Sequence, residues 1–111
     1  MAIWSHILIR GTKDTIAYCV PNGGPRSKAS AGRLKAMGVL PGVADLMFIL
    51  NDGSAAAMEL KIPGGVQSPA QKDFEARCHK IGAPYVICSD LDNALSILEA
   101  WGVLKPARNL K

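Results

Sequence analysis

The stretch Pro41-Gly42-Val43-Ala44-Asp45-Leu46-Met47-Phe48-Ile49-Leu50-Asn51-Asp52-Gly53-Ser54-Ala55-Ala56-Ala57-Met58-Glu59-Leu60-Lys61 reads as a β-hairpin. Leu46 to Leu50 is an unbroken apolar run of strand length. Asn51-Asp52-Gly53 is a turn signal, because these residue types tolerate the positive φ of tight hairpin turns. Ala55 to Ile62 runs back as the second strand. A three-residue loop, 51 to 53, pairs Leu50 with Ser54 and sets Asp45 opposite Glu59, with Cβ atoms roughly 5 Å apart. Alternation puts Glu59 and Lys61 on one face, roughly 7 Å apart. Pro41 cannot donate to a sheet ladder, so Asp45 belongs near the start of its strand. An Asp, a Glu and a Lys therefore converge at one end of a mostly apolar hairpin.

Two chemical readings of that convergence stand. Two carboxylates so close repel unless a cation lies between them, and hard divalent ions such as Mg2+ take carboxylate oxygens, water and phosphate oxygens. A lysine beside such an ion can orient or help deprotonate a water and stabilise charge on a phosphate. The plainer reading is a surface Asp after a turn and a solvated Glu-x-Lys on an edge strand.

Asp45, Glu59 and Lys61, as Pro-Gly-Val-Ala-Asp followed after thirteen residues by Glu-Leu-Lys, resemble the PD-(D/E)XK nuclease signature. The neighbouring text resembles one branch of it, the virus-type replication-repair nuclease (VRR-NUC) domain. Pro21-Asn22-Gly23-Gly24, Leu34-Lys35-Ala36-Met37-Gly38, Pro41 to Leu46, Glu59-Leu60-Lys61, Ser68-Pro69-Ala70-Gln71 and Gly82-Ala83-Pro84-Tyr85-Val86 carry the likeness in chain order, over roughly residues 20 to 102.

The resemblance implies an α/β fold, a small mixed β-sheet flanked by helices with a restriction-endonuclease-like core. It implies a metal-dependent DNA endonuclease using Mg2+ or Mn2+. Asp45, Glu59 and the Leu60 carbonyl would hold the metal, Lys61 would activate water, and Gln71 would assist. Arg26, Lys28, Arg33 and Lys35 follow a loop that lies near the active site in the family, and so could meet the phosphate backbone; a solvated helix face is the alternative. Free-standing relatives of this kind, viral or bacterial, are often homodimers that cut four-way junctions. Two features depart from the pattern. Many members carry a Glu on an opening helix, whereas here no Glu precedes Glu59, and Ala44 stands where Pro is usual. A non-catalytic nucleic-acid-binding module that keeps the fold is the rival function.

The 111 residues suit one domain, 1–111, with one core. The 49% hydrophobic content argues against a disordered tail, although Lys105 to Lys111 reads as a basic end that could fray, and a net charge of +4 with pI near 9.2 suits a polyanionic partner. Aromatics at 5% are too few for a base-stacking platform. No apolar run approaches the ~20 residues that span a membrane. No signal-peptide pattern follows Met1. Cys19, Cys78 and Cys88, odd in number and without a Cys-x-x-Cys pair, read as buried free thiols in a reducing, cytoplasmic compartment.

Around the hairpin, Ile3 to Arg10 and Thr15 to Val20 read as strands about a turn at Gly11 to Asp14, with a short helix as the alternative for the first. Pro21 to Pro25 is a loop. Ser27 to Met37 reads as a helix capped by Ser27, with Ala31, Leu34 and Met37 as its apolar stripe and Gly38 as its stop. Ser68-Pro69-Ala70-Gln71 predicts a helix start with a capping box, running to about Lys80 with Phe74, Cys78 and Ile81 on one face and Gly82 as its stop. Gln71 thus carries two compatible readings, cap and site residue. Tyr85 to Cys88 reads as a strand buried on both faces. Asp90 caps a last helix, 91–101, with a stripe of Leu91, Leu95, Leu98 and Trp101 around Ala94.

Overall fold

The computed structural model describes residues 2–21 and 28–106. The elements run α1 (Ile3–Arg10), β1 (Ile16–Cys19), α2 (Lys28–Ala36), β2 (Leu46–Ile49), β3 (Ala55–Leu60), α3 (Pro69–Ile81), β4 (Tyr85–Cys88) and α4 (Leu91–Ala100). The four strands form one mixed sheet in the order β1-β2-β3-β4. The first two pairings are antiparallel, and β3 to β4 is parallel. Most of the expected loop at Pro21 to Pro25, Ser27 as the cap of α2, and most of the basic end at Lys105 to Lys111 lie outside the described residues.

The hairpin has the expected register. Leu46 pairs with Met58 and Ile49 with Ala55, and the Leu50 N–H donates to the Ser54 carbonyl at 2.8 Å to close the three-residue loop. The turn is held by Asp52, whose Oδ1 accepts from the Ser54 N–H at 2.9 Å and hydroxyl at 2.6 Å. Gly53 takes the left-handed φ of 85° that the turn requires. One step beyond Leu46 and Met58, Asp45 stands level with Glu59.

Alternation then divides the sheet. One face carries Leu46, Phe48, Ala56, Met58 and Cys88, and these pack with Ile3 of α1, Ala94 and Leu98 of α4, and Val103 and Leu104 beyond it. Phe48, Met58 and Leu98 are wholly buried, and Trp101 meets Phe48 edge-on at 5.7 Å between centroids. The other face carries Asp45, Met47, Ala57, Glu59 and Tyr85, and α3 covers it through Phe74 and Cys78.

The structure corrects several expectations. Ile3 to Arg10 is helical, not a strand. The spacing 3, 7, 10 falls on one helical face, which buries Ile3 and Arg10 and sets Ile7 against the core. The buried Arg10 guanidinium donates to Glu99 Oε2 of α4 at 2.8 Å and to the Lys105 carbonyl, so its charge is paired where it is dry. Ile81 is exposed, because Gly82 (φ 83°) turns the chain back and its neighbour Ala83 bonds to the Cys78 carbonyl. The α2 stripe buries no residue, and Met37 is exposed. Tyr85 to Cys88 is an edge strand that leaves Ile87 exposed rather than one buried on both faces. Cys78 and Cys88 are buried free thiols as expected, whereas Cys19 is free but exposed. No helix among the described residues is long and apolar enough to cross a membrane.

Candidate active site

Asp45 is fixed from both sides. Its carbonyl accepts from the Val20 N–H at 3.0 Å, extending the β1–β2 pairing. Its Oδ2 accepts from the Leu60 N–H at 2.7 Å. The carboxylate thus docks on the backbone between Glu59 and Lys61. In a strand the N–H and C=O of one residue leave on the same side, so the Leu60 carbonyl lies on the Asp45 side of β3.

Glu59 is wholly buried. Its Oε2 lies 3.9 Å from Lys61 Nζ and 3.5 Å from Gln67 Nε2. Its Oε1 is buried and has no hydrogen-bond partner. Burial pushes the Glu59 carboxyl above its ordinary value, and the Lys61 charge and the Gln67 amide work in the opposite direction. A buried carboxylate oxygen without a partner is costly unless something outside the protein meets it.

Lys61 Nζ donates to Gln71 Oε1 at 3.0 Å. The same Oε1 accepts from the Ser68 N–H at 2.8 Å, and Ser68 Oγ accepts from the Gln71 N–H at 3.2 Å. Both readings of Gln71 hold together, since one side chain completes the capping box and fixes the lysine. The start of α3 is pressed against the chain before β2. A Cβ on Gly42, whose φ is 83°, would lie 2.2 Å from the Ala70 carbonyl oxygen. Gly42 therefore lets the α3 terminus, with Gln71, approach the strand that carries Asp45.

The basic residues have separate places. Lys28, Arg33 and Lys35 are exposed on α2, and Arg26 lies outside the described residues. A groove of about 380 Å³ runs between α2 and the α3 start, lined by Ala31, Leu34, Lys35, Leu40, Gly42 and Ser68 among others. Lys35 and Ser68 share that groove, so α2 flanks the end of α3 that holds Gln71. Sequence reasoning missed Gln67 and Tyr85 as site residues. Gln67 Nε2 lies 3.3 Å from the Tyr85 hydroxyl as well as near Glu59. Gln67 lies in no motif, and Tyr85 falls in the Gly82–Val86 segment without a site role there, so their closeness to Glu59 is what reveals them.

Glu59 with its orphaned oxygen, Asp45 level with it in the hairpin register and the Leu60 carbonyl are all oxygen groups, the donor type that a hard divalent cation takes. Among the described residues, no cluster of three or more His, Cys, Asp or Glu side chains is placed to hold a metal ion. The site therefore has two acids, and α1 supplies none.

No family model matches the sequence, and no curated protein matches it. Among solved structures, the chain is similar to one described as a VRR_NUC domain protein, with a TM-score of 0.61 and 22% sequence identity, over 80% of this chain and 74% of that one. The α/β architecture, a four-stranded mixed sheet with four helices, is thus a fold shared with that VRR_NUC domain protein. The likeness that the motifs carried is met at the level of that fold.

Proposed function

We propose that the chain is a metal-dependent endodeoxyribonuclease that hydrolyses phosphodiester bonds in DNA. The observation that carries this reading is the buried Glu59 with its unpartnered Oε1, in register with Asp45 and beside Lys61. Asp45, Glu59 and the Leu60 carbonyl would hold Mg2+ or Mn2+. Such an ion supplies polarisation of the scissile phosphate and a counter-charge as the P–O bond breaks. Lys61, steadied by Gln71, would orient the attacking water and help remove its proton. Lys28, Arg33 and Lys35, with Arg26, would hold the phosphate backbone of the substrate, because α2 flanks the same end of the molecule. One domain of this size has little surface with which to select a branched substrate alone. A homodimer acting on four-way junctions, with two sites and a wider basic face, is the form we favour. The three free thiols suit a reducing cytoplasm.

A second reading has its own support. Among the described residues the site carries only two acids, so the domain could instead bind nucleic acid without cutting it. Cleavage of a labelled four-way junction beside a linear duplex of matched sequence decides between them, in Mg2+, Mn2+ or EDTA, with Lys61→Ala as the control. Paired junction cuts that vanish in EDTA and in the variant support the resolvase form. Cutting of both substrates keeps the chemistry and discards the junction preference. DNA binding by folded protein without cutting favours the non-catalytic module.

A further inference from the structure

Behind the two acids lies a second layer of polar contacts that the proposed reaction does not use. Tyr85 is buried on β4, with its ring set between Phe74 and His79 of α3, at 6.0 and 6.2 Å between centroids. In the β3–β4 register Tyr85 pairs with Ala57, so Glu59 is its diagonal neighbour on the same face. Gln67 reaches in from the loop before α3. Its amide has two N–H groups, one for Glu59 Oε2 at 3.5 Å and one for the Tyr85 hydroxyl at 3.3 Å. The Gln67 amide and the Lys61 ammonium at 3.9 Å both meet Glu59 Oε2, the Tyr85 hydroxyl interacts with the same carboxylate, and Oε1 has no hydrogen-bond partner. Free rotation of a carboxylate would exchange its two oxygens, so partners on one oxygen alone fix which one is left over.

We propose that Gln67 and Tyr85 are positioning residues for Glu59, which together hold Oε2 and leave Oε1 as the oxygen offered to a divalent cation. This rests on the metal-site reading above. Groups that orient a ligand without touching the metal commonly change metal affinity roughly 10- to 100-fold when removed. With two acids in the site among the described residues, the orientation of each matters more than in a site with a third to share the ion. Tyr85 acts through its hydroxyl, and its ring is a packing element. Tyr85→Phe therefore separates the two contributions.

The test is calorimetric titration of the metal-free protein with Mn2+, for wild type, Tyr85→Phe, Gln67→Leu, the double variant and Glu59→Gln, with melting temperatures measured in EDTA. Expected are Mn2+ affinities weakened about tenfold in each single variant, with unchanged melting temperatures. The double variant loses less than the product of the two, since both residues act on one oxygen through one network. Wild-type affinity in Tyr85→Phe and Gln67→Leu, alongside lost binding in Glu59→Gln, overturns the positioning role and leaves the metal site standing. No Mn2+ binding by wild type, or wild-type binding by Glu59→Gln, overturns the metal-site reading and this inference with it. Gln67 lies on a partly exposed loop, so its variant reports on positioning even where Tyr85→Phe disturbs the core.

Discussion

The two faces of the sheet are built from the same strands to opposite ends. Towards α1 and α4 the side chains are apolar, closely interlocked and fully dry, with Phe48, Met58 and Leu98 at the centre. Towards α3 the same strands present small residues, Ala57 and Ala44, and then two carboxylates and a lysine where the covering helix begins. Small side chains on that face let α3 come close at one end, and Gly42 lets its first turn come closer still. The first face supplies the stability that the second spends on an unpaired buried oxygen. This division assigns different consequences to mutations one residue apart on the same strand.

The largest expected difference is on the α3 face, in activity and not in folding. Lys61→Ala should lower metal-dependent cleavage by on the order of 10²- to 10⁴-fold, the usual contribution of a positioned proton-transfer group. Thermal stability should fall far less than activity: the variant removes the charge 3.9 Å from buried Glu59, whereas Gln71 keeps its bond to the Ser68 N–H and the capping box stays intact. A variant that loses cleavage and stability together would blur the comparison, and circular dichroism melts beside the cleavage assay separate the two. On the other face the order reverses. Phe48→Ala should destabilise by about 3–5 kcal/mol through the cavity it leaves against Trp101 and Leu98. Chemical denaturation measures this directly.

Between these extremes lies Gly42→Ala. The added methyl would meet the Ala70 carbonyl, and the backbone there has a φ that non-glycine residues rarely adopt. A loss of about 1–3 kcal/mol is expected. The displaced α3 terminus should also weaken the hold of Gln71 on Lys61, so cleavage should fall further than the stability loss alone accounts for. Full activity in the Gly42→Ala variant would show that the two elements need not approach so closely.

What the sequence made legible follows the same division. The hairpin register was readable because its signals are local: a three-residue turn, an apolar run and a Pro before the strand. From that register the meeting of Asp45, Glu59 and Lys61 follows directly, and the capping box at Ser68 and Gln71 is legible for the same local reason, the Ser-Pro-Ala-Gln start of α3. The α1 segment was readable only as an alternative, because Ile-Trp-Ser-His-Ile-Leu-Ile-Arg suits a strand by residue type. What makes it a helix is the core partner it finds and the pairing of Arg10 with a glutamate 89 residues away. Ile81 was misplaced because the helical stripe runs on in the sequence past the point where Gly82 turns the chain away from the sheet. Gln67 and Tyr85 were invisible for another reason. Neither residue type advertises chemistry, and their importance depends wholly on the buried oxygen beside them.

Of the variants expected to change stability, the one with the smallest change tests the contrast most directly. Glu59→Gln should abolish function but stabilise the metal-free protein at neutral pH, by on the order of 1 kcal/mol, because the amide keeps the shape and removes a buried charge. The pH dependence fixes the sign. Burial raises the folded-state value of Glu59 above the ordinary 4.5. Between 4.5 and that raised value the folded protein holds the proton and the unfolded chain does not. The stability contributed by this group therefore falls as pH rises through that window, and it stays lost above. Below 4.5 both states are protonated and the difference vanishes. The stability gap between Glu59→Gln and wild type should accordingly be near zero at the acid end, open as pH rises and then level off. Melting curves across pH in EDTA read this out. A gap independent of pH would mean that the carboxylate is as comfortable folded as unfolded, and the α3 face would then be as relaxed as the other. Repeating the series with saturating Mn2+ should reverse the order at neutral pH, since a cation bound only by the folded wild type adds stability that the variant cannot gain.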